Sequence, residues 1–253
     1  MATNVAKLNV SRDQKNVGES LTQLALRRLR RDHLTLIAIA VLGTLALLSA
    51  LAPVISNALN ISPTRTNAQE TFLGIGAEGH PLGTDDLGRD HLARLLYAGQ
   101  ISLSVGFLAA LLSLAIGVTL GIVTGYYGGV VDDIINWIIT TLNSIPSLFL
   151  LLIVAAVLRP SVETLIIVLG LLGWTGTTRL VRGETLSLRE REYIISARAV
   201  GASPFRIMLG HILPNLFSVI VVTLAIDIGG SSFRWGAFIS FRRLMPLPSP
   251  RFG

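Results

Sequence analysis

Apolar residues in this chain gather into five blocks: Leu34–Ile55, Ile101–Tyr126, Ile134–Leu158, Thr164–Leu180 and Ile212–Gly230. Blocks of about 17–25 residues, rising about 1.5 Å per residue, reach across a hydrocarbon core of about 30 Å. In lipid every backbone polar group must be satisfied within the chain, and helices do that. The pattern therefore predicts five transmembrane helices and an all-α polytopic membrane protein.

The segments between the blocks set the orientation. Residues 1–33 form an N-terminal tail, polar to residue 20 and then basic. In Leu21–Arg31, the residues Leu21, Leu24, Leu26 and Leu29 fall partly on one side of a helix, with arginines from residue 27 onward. This stretch reads as a short amphipathic helix lying at anionic headgroups, or as a solvated basic flank that only fixes orientation. Arg27, Arg28, Arg30 and Arg31 precede the first span, 34–55, and put its N-terminal end in the cytosol. The external loop, 56–100, carries Glu70, Glu78, Asp85, Asp86 and Asp90 against Arg65, Arg89 and Arg94. The core, 101–230, holds the other four spans and a cytosolic loop, 181–211, rich in arginine. A tail, 231–253, closes the chain with four arginines and no apolar run long enough to span.

Composition agrees with a membrane protein: 51% of the residues are hydrophobic, 14% are charged, and the mean hydropathy is +0.64. The net charge of +6 does not indicate nucleic acid, because the arginines stand at the ends of apolar blocks rather than on a soluble basic face. The chain has no cysteine, which removes disulfides, thiolate metal sites and cysteine nucleophiles. Its lysines are Lys7 and Lys15, both in the polar tail, so no GxxxxGK[ST] phosphate loop exists. The four histidines are scattered, and no catalytic, cofactor-binding or metal site is assigned. The carboxylates and glycines around His80 and His91 serve turns and caps in that reading. The chain is not read as an enzyme.

Three features carry chemistry of position rather than reaction. Ala109, Ser113, Gly117, Gly121 and Gly125 recur every fourth residue, a smooth stripe where another backbone can approach closely. Packing within the chain's own bundle is favoured over a subunit interface for this stripe, and Gly125–Gly129 should end the helix. Pro146 predicts a kink in the third span, beside Thr140, Asn143 and Ser144. These polar residues line a translocation path or satisfy carbonyls freed by the proline. Asp227, near the outer end of the fifth span, is read as interfacial rather than as a buried functional acid.

The cytosolic loop has the local chemistry of a docking knob. Tyr193–Val200 is helical in character, and Gly201 supplies a left-handed turn. Ser203 is a candidate N-cap with Pro204 at the first position of the next helix, which runs over Phe205–Leu213. Two short helices about a glycine bend make a knob that seats in a partner's groove; the alternative is an amphipathic connector lying on the membrane.

The same loop resembles the EAA motif of permease subunits of binding-protein-dependent ABC importers. In that motif an alanine-rich turn precedes a glycine and, further on, an I-x-L-P end. Ala197, Gly201, Leu213 and Pro214 match, while Ile195 and Ser196 replace the usual Glu and first Ala, and His211 stands where Ile is common. HILPN (His211–Asn215) is similar to the variant of the dipeptide/oligopeptide/nickel branch. So are RRLRRDHLTLIAIAVLG at the first span, HPLGTDDLGRDHLARLLYAGQISLSVG (His80–Gly106), and GYYGGVVDD with Ile145-Pro146-Ser147. The likeness covers about Arg27–Gly230.

The resemblance implies an importer-type permease bundle in a bacterial or archaeal cytoplasmic (inner) membrane, multi-pass, with a cytosolic N-terminus. It implies a heterodimer with a sister permease, two ATP-binding subunits that use ATP and magnesium, and an external solute-binding protein. The cargo class is peptides or related small solutes, nickel chelates included. The residues expected to contact the ATPase are Ile195, Ser196, Ala197, Arg198, Gly201, Ala202, Ser203, Pro204, Arg206 and Ile207. Thr140, Asn143, Ser144 and Pro146 are the candidate translocation path. After Gly230 the sequence departs from the family, whose sixth span is missing from the pattern. The expectation is an aberrant tail from a frameshift or sequencing error, and a non-functional permease if the tail is genuine. A proton-coupled secondary transporter using Asp227 or Asp132/Asp133 is the competing class.

Overall fold

The computed structural model describes residues 32–147, 149, 150, 153, 157 and 161–244, with backbone alone over 231–244. The expected amphipathic segment, much of the later half of the third span and the end of the tail lie outside these residues. The chain divides into two compact units, one up to Gly99 and one from Gln100.

The first unit opens with α1 (His33–Ala50), whose N-cap Asp32 accepts from the Thr35 backbone N–H at 3.3 Å. The expected single helix over 34–55 is instead two, because α1 gives way at Leu51 to α2 (Ala52–Ala58). Pro53 accounts for the break: it lacks the N–H that a continuous helix would use, and its ring crowds the carbonyl one turn back. An irregular segment follows, pinned by two isolated bridges, Ala77–His80 and Thr84–Asp90. The next helix, α3 (His91–Tyr127), starts ten residues earlier than the block at Ile101 indicated. Asp90 sets this start, since its Oδ1 accepts from the Ala93 N–H at 2.7 Å.

In the second unit α3 ends at Gly128 and Gly129, with φ of +65° and +52°. The chain turns into α4 (Gly129–Asn143). The expected third span, 134–158 with a kink at Pro146, is interrupted just before that proline. Helix α4 stops at Asn143, and Pro146 opens a new turn in which its carbonyl accepts from Phe149 and Leu150. A proline fits the first turn of a helix, where no N–H is needed. The next helix, α5 (Val162–Arg189), is capped by the Ser161 hydroxyl and extends nine residues past the expected end at Leu180. The arginines near its C-terminus are favoured there by the helix dipole and do not end it.

α3 and α5 pack through the small-residue stripe. A β-carbon on Gly117, Gly121 or Gly125 would fall 2.6, 2.7 or 2.6 Å from the Cβ of Thr177, Val181 or Thr185. Both helices advance by four residues per contact, so the match repeats turn after turn. The stripe thus serves the bundle itself. Val105 and Ala109 pack with Leu165, Val168 and Leu169 at the other end of the pair.

Beyond α5 come α6 (Glu192–Ala199), α7 (Pro204–Ile207), a π-helical turn (Met208–Ile212), α8 (Leu213–Asn215) and α9 (Phe217–Leu244). Pro214 gives the π turn a cause, because an α-helix would drive its ring into the carbonyl of Gly210, and a wider turn relieves that clash. Helix α9 runs beyond Gly230 into the segment read as an aberrant tail, in keeping with the absence of proline before Pro246. Among the described residues, α1, α3 and α5 are long and apolar enough to cross a membrane. A fourth span is possible if the pair bent by 65° at Leu216 counts as one. The expected five are not all present in this set.

Candidate functional site: the two-helix knob and the helix corner beneath it

Helix α6 ends in a two-bond cap built on Gly201, whose φ is +86°. The Gly201 N–H donates to the Arg198 carbonyl and the Ala202 N–H to the Ala197 carbonyl, both at 3.0 Å, the Schellman pattern that a left-handed glycine permits. Ser203 then caps α7 as its sequence position indicates. Its hydroxyl accepts from the Arg206 N–H at 3.4 Å, and Pro204 takes the first helical position.

The two short helices are anchored by fully buried isoleucines. Ile194 and Ile207 join Ile122 of α3, Val181 of α5, and Met208, Ile212 and Leu216 in one apolar cluster, with Ala202 packed against it. Ile207, read from sequence as a contact residue, therefore faces inward. Ile195, Ser196, Arg198, Gly201, Ser203, Pro204 and Arg206 are exposed, and Ala197 and Ala202 are half-buried. Val200 and Phe205 flank the bend at 88% and 68% exposure, the most prominent apolar groups on the knob. Sequence reasoning passed over both. The available signal was that Ile194 and Ile207 already fill the inward positions of the two helices.

Beneath the knob, charged groups hold the turn between α3 and α4. Arg182 of α5 grips Asp132 of α4 with two parallel bonds, Nε to Oδ1 and Nη2 to Oδ2, each at 2.5 Å. Arg189 donates to the carbonyls of Gly125 and Tyr126 at 3.2 and 3.4 Å. Arg198 of α6 lies over the Tyr126 ring at 5.5 Å from its centre.

The candidate path residues are exposed at the end of α4. Ser144 donates its hydroxyl to the Thr140 carbonyl at 2.9 Å, and Asn143 accepts from Thr175 of α5 at 3.3 Å. Asp227 accepts from the Thr177 hydroxyl at 3.0 Å, which ties α9 to α5.

The segment between α2 and α3 is independently well organised. Asp85 accepts the backbone N–H groups of Leu87 and Arg89 at 2.9 Å and pairs with the guanidinium groups of Arg89 and Arg94. Burial alone would raise its pKa, but the Arg89 backbone and side chain, with the Leu87 N–H, hold it far below the usual carboxylate range. His80 bonds Asp90 at 2.9 Å through Nδ1 and Glu70 at 3.3 Å through Nε2. The Asp90 bond raises the imidazole pKa; burial opposes the rise and Glu70 adds to it. A cleft of about 440 Å³ lies beside this pair, lined among others by Arg65, Asn67, Glu70, Glu78, His80 and Asp90.

A bundle of apolar helices with a structured two-helix knob defines a multi-pass membrane permease subunit. The particular family follows from comparison. Residues 117–241 match the family described as binding-protein-dependent transport system inner membrane component, and residues 20–72 match the N-terminal TM domain of oligopeptide transport permease C. The chain is 36% identical over 222 residues to the dipeptide transport system permease protein DppC of Bacillus subtilis, covering 88% of this chain and 68% of that protein. It is 32% identical over 235 residues to the oligopeptide transport system permease protein OppC of the same organism, covering 92% and 75%. The corresponding OppC of Mycobacterium tuberculosis is 39% identical over 154 residues, covering 60% and 53%. This chain belongs to the binding-protein-dependent transport system inner membrane component family, as a permease subunit of the inner membrane.

Proposed function

We propose that this chain is the permease subunit of an ATP-driven ABC importer for peptides or related small solutes. The peptide class rests on the names of the dipeptide and oligopeptide relatives. ATP and magnesium are used in two separate ATPase subunits, and a sister permease and an external solute-binding protein complete the assembly. The N-terminus and the knob lie on the cytosolic side, and the acidic segment from Leu59 to Asp90 lies outside, an orientation supported by the arginine distribution. Residues Ile195–Arg206 form the face that seats in an ATPase groove, and Thr140, Asn143, Ser144 and Pro146 border the solute path.

The observation that carries this reading is the division of labour within the knob. Ile194 and Ile207 are fully buried, while Val200 and Phe205, on either side of the Gly201 bend, project into solvent. A connector lying in the membrane surface also exposes apolar groups, but it needs no capped bend to present them. ATP closure of the ATPases moves the knob, and the bundle shifts between inward- and outward-open packings that differ only in relative stability. Proton coupling through Asp132 would first have to break its two Arg182 bonds.

The test is reconstitution with a sister permease, ATPases and a binding protein. Uptake of a peptide should require ATP, and Val200→Asp with Phe205→Asp should abolish binding-protein-stimulated hydrolysis. Uptake that proceeds without ATP and collapses with the proton gradient would establish a secondary transporter instead.

A further inference from the structure

The corner between α3 and α4 turns on two consecutive glycines, Gly128 and Gly129, both in the left-handed region. Such a corner has little stiffness of its own, because glycine leaves the widest range of backbone conformations open. Its rigidity must come from what grips it. Arg189 holds the last turn of α3 through the carbonyls of Gly125 and Tyr126, and Arg182 holds the first turn of α4 through Asp132. The two contacts thus lie on opposite sides of the glycine pair. Both arginines sit on α5, which ends at Arg189 and leads within three residues into α6 of the knob. Arg198 on α6 adds a third contact over Tyr126.

The far end of α4 is also tied to α5, through Thr175 and Asn143. On the other side of the knob the chain is built differently. The knob is joined to α9 through the π-helical turn at Met208–Ile212 and a 65° bend, and Asp227 of α9 accepts from Thr177 of α5.

We infer that Arg182, Arg189 and Asp132 are positioning residues for transport: they lock the α3–α4 corner to the knob, so that α4 and its residues Thr140 and Asn143 travel with it. Motion of the knob therefore reaches the solute path through the corner. The fork of Arg182 matters for this role, since two parallel bonds resist rotation of α4 about its axis where a lysine's point charge does not. The inference rests on the reading of the knob as the ATPase contact.

The first test uses the unclamped geometry directly. The chain has no cysteine, so spin labels can be placed on cysteines substituted for the exposed Val130, Val200 and Val222 in the assembled transporter. Between the nucleotide-free and ATP-trapped states, the 130–200 distance should stay constant, with the 222 label on α9 as the reference. A change of more than about 2 Å between 130 and 200 overturns the inference.

The second test reads coupling. Asp132→Asn and Arg182→Gln should each lower solute uptake per ATP hydrolysed about tenfold, within the usual range of coupling effects. The exchanged pair Asp132→Arg with Arg182→Asp should recover most of the loss, which a merely global destabilisation would not do. An unchanged ratio in both single variants overturns the inference while leaving the importer reading intact. Loss of ATP dependence in the unaltered complex sinks the importer reading and this inference with it. Should the single variants fail to assemble, the label distances decide alone.

Discussion

Gly121 of α3 and Val181 of α5 meet so closely that a β-carbon on residue 121 would lie 2.7 Å from the Val181 Cβ and 2.9 Å from the Thr178 carbonyl. Alanine is a better helix former than glycine by about 1 kcal/mol, so propensity alone would favour substitution here. Packing reverses the sign, because the carbonyl belongs to a helix backbone that cannot swing aside. Gly121→Ala should therefore destabilise the bundle by about 1–3 kcal/mol, the ordinary cost of overpacking. Thermal unfolding in detergent measures it. A midpoint unchanged or raised by Gly121→Ala would refute close packing at this level.

Gly201 presents the opposite case. Nothing lies within 4 Å of a β-carbon placed there, yet its φ is +86°. The cost of a side chain is then conformational alone, about 1 kcal/mol for alanine. Gly201→Ala should insert, fold and retain much of its coupling. Gly201→Asp adds a charge beside Val200 on the proposed ATPase face, and it should abolish solute-stimulated ATP hydrolysis while leaving insertion intact. Normal stimulation in the aspartate variant would remove this bend from the contact.

The pattern of the sequence revealed the knob more fully than the spans on either side of it. The Gly201 turn, the Ser203 cap and Pro204 depend on contacts within a few residues, and such contacts are written in local residue order. The four-residue stripe was legible for the same reason, since its period is the helix's own. The ends of α3 and α5 were not, because a hydropathy block marks where a helix is apolar and not where its hydrogen bonds stop. Asp90 begins α3 through a polar contact outside the apolar block, and α5 runs on through polar sequence to Arg189. The Asp132–Arg182 bond joins residues fifty positions apart, and nothing local announces it.

In the segment between α2 and α3, Gly88 combines both kinds of constraint. Its φ is +70°, and a β-carbon would fall 1.9 Å from the Asn67 carbonyl oxygen. Strain and clash act together, so Gly88→Ala should cost more than Gly201→Ala, at least about 2 kcal/mol. Limited proteolysis of the full-length protein reads this locally: cleavage between Asn60 and Asp90 should accelerate while the helices remain resistant. Equal cleavage rates for the parent and Gly88→Ala would show that the close approach to Asn67 is not maintained.

The same segment should show a stability window in pH with edges of opposite sign. His80 faces a carboxylate from each ring nitrogen, Asp90 through Nδ1 and Glu70 through Nε2, and only the imidazolium donates to both. Its pKa is raised in the folded state, chiefly by the Asp90 bond, so folding takes up a proton at pH values above the ordinary value of about 6.5. That contribution is complete below about pH 6.5 and is lost as the pH rises through the folded value. Asp85 behaves in the reverse sense: burial would raise its pKa, but the Arg89 and Leu87 bonds prevail and lower it. Its contribution is complete above the ordinary aspartate value of about 3.9 and is lost as the pH falls further. Protection of the backbone amides of Asn60–Asp90 against hydrogen exchange, corrected for the intrinsic pH dependence, should be greatest between about pH 4 and 6.5 and decline above it. His80→Gln should flatten the alkaline side and leave the acid side in place, because Asp85 does not contact the imidazole. Protection that grows from pH 6.5 to 9 in the parent protein would mean that His80 is neutral when folded, and that one of its two carboxylate bonds does not form.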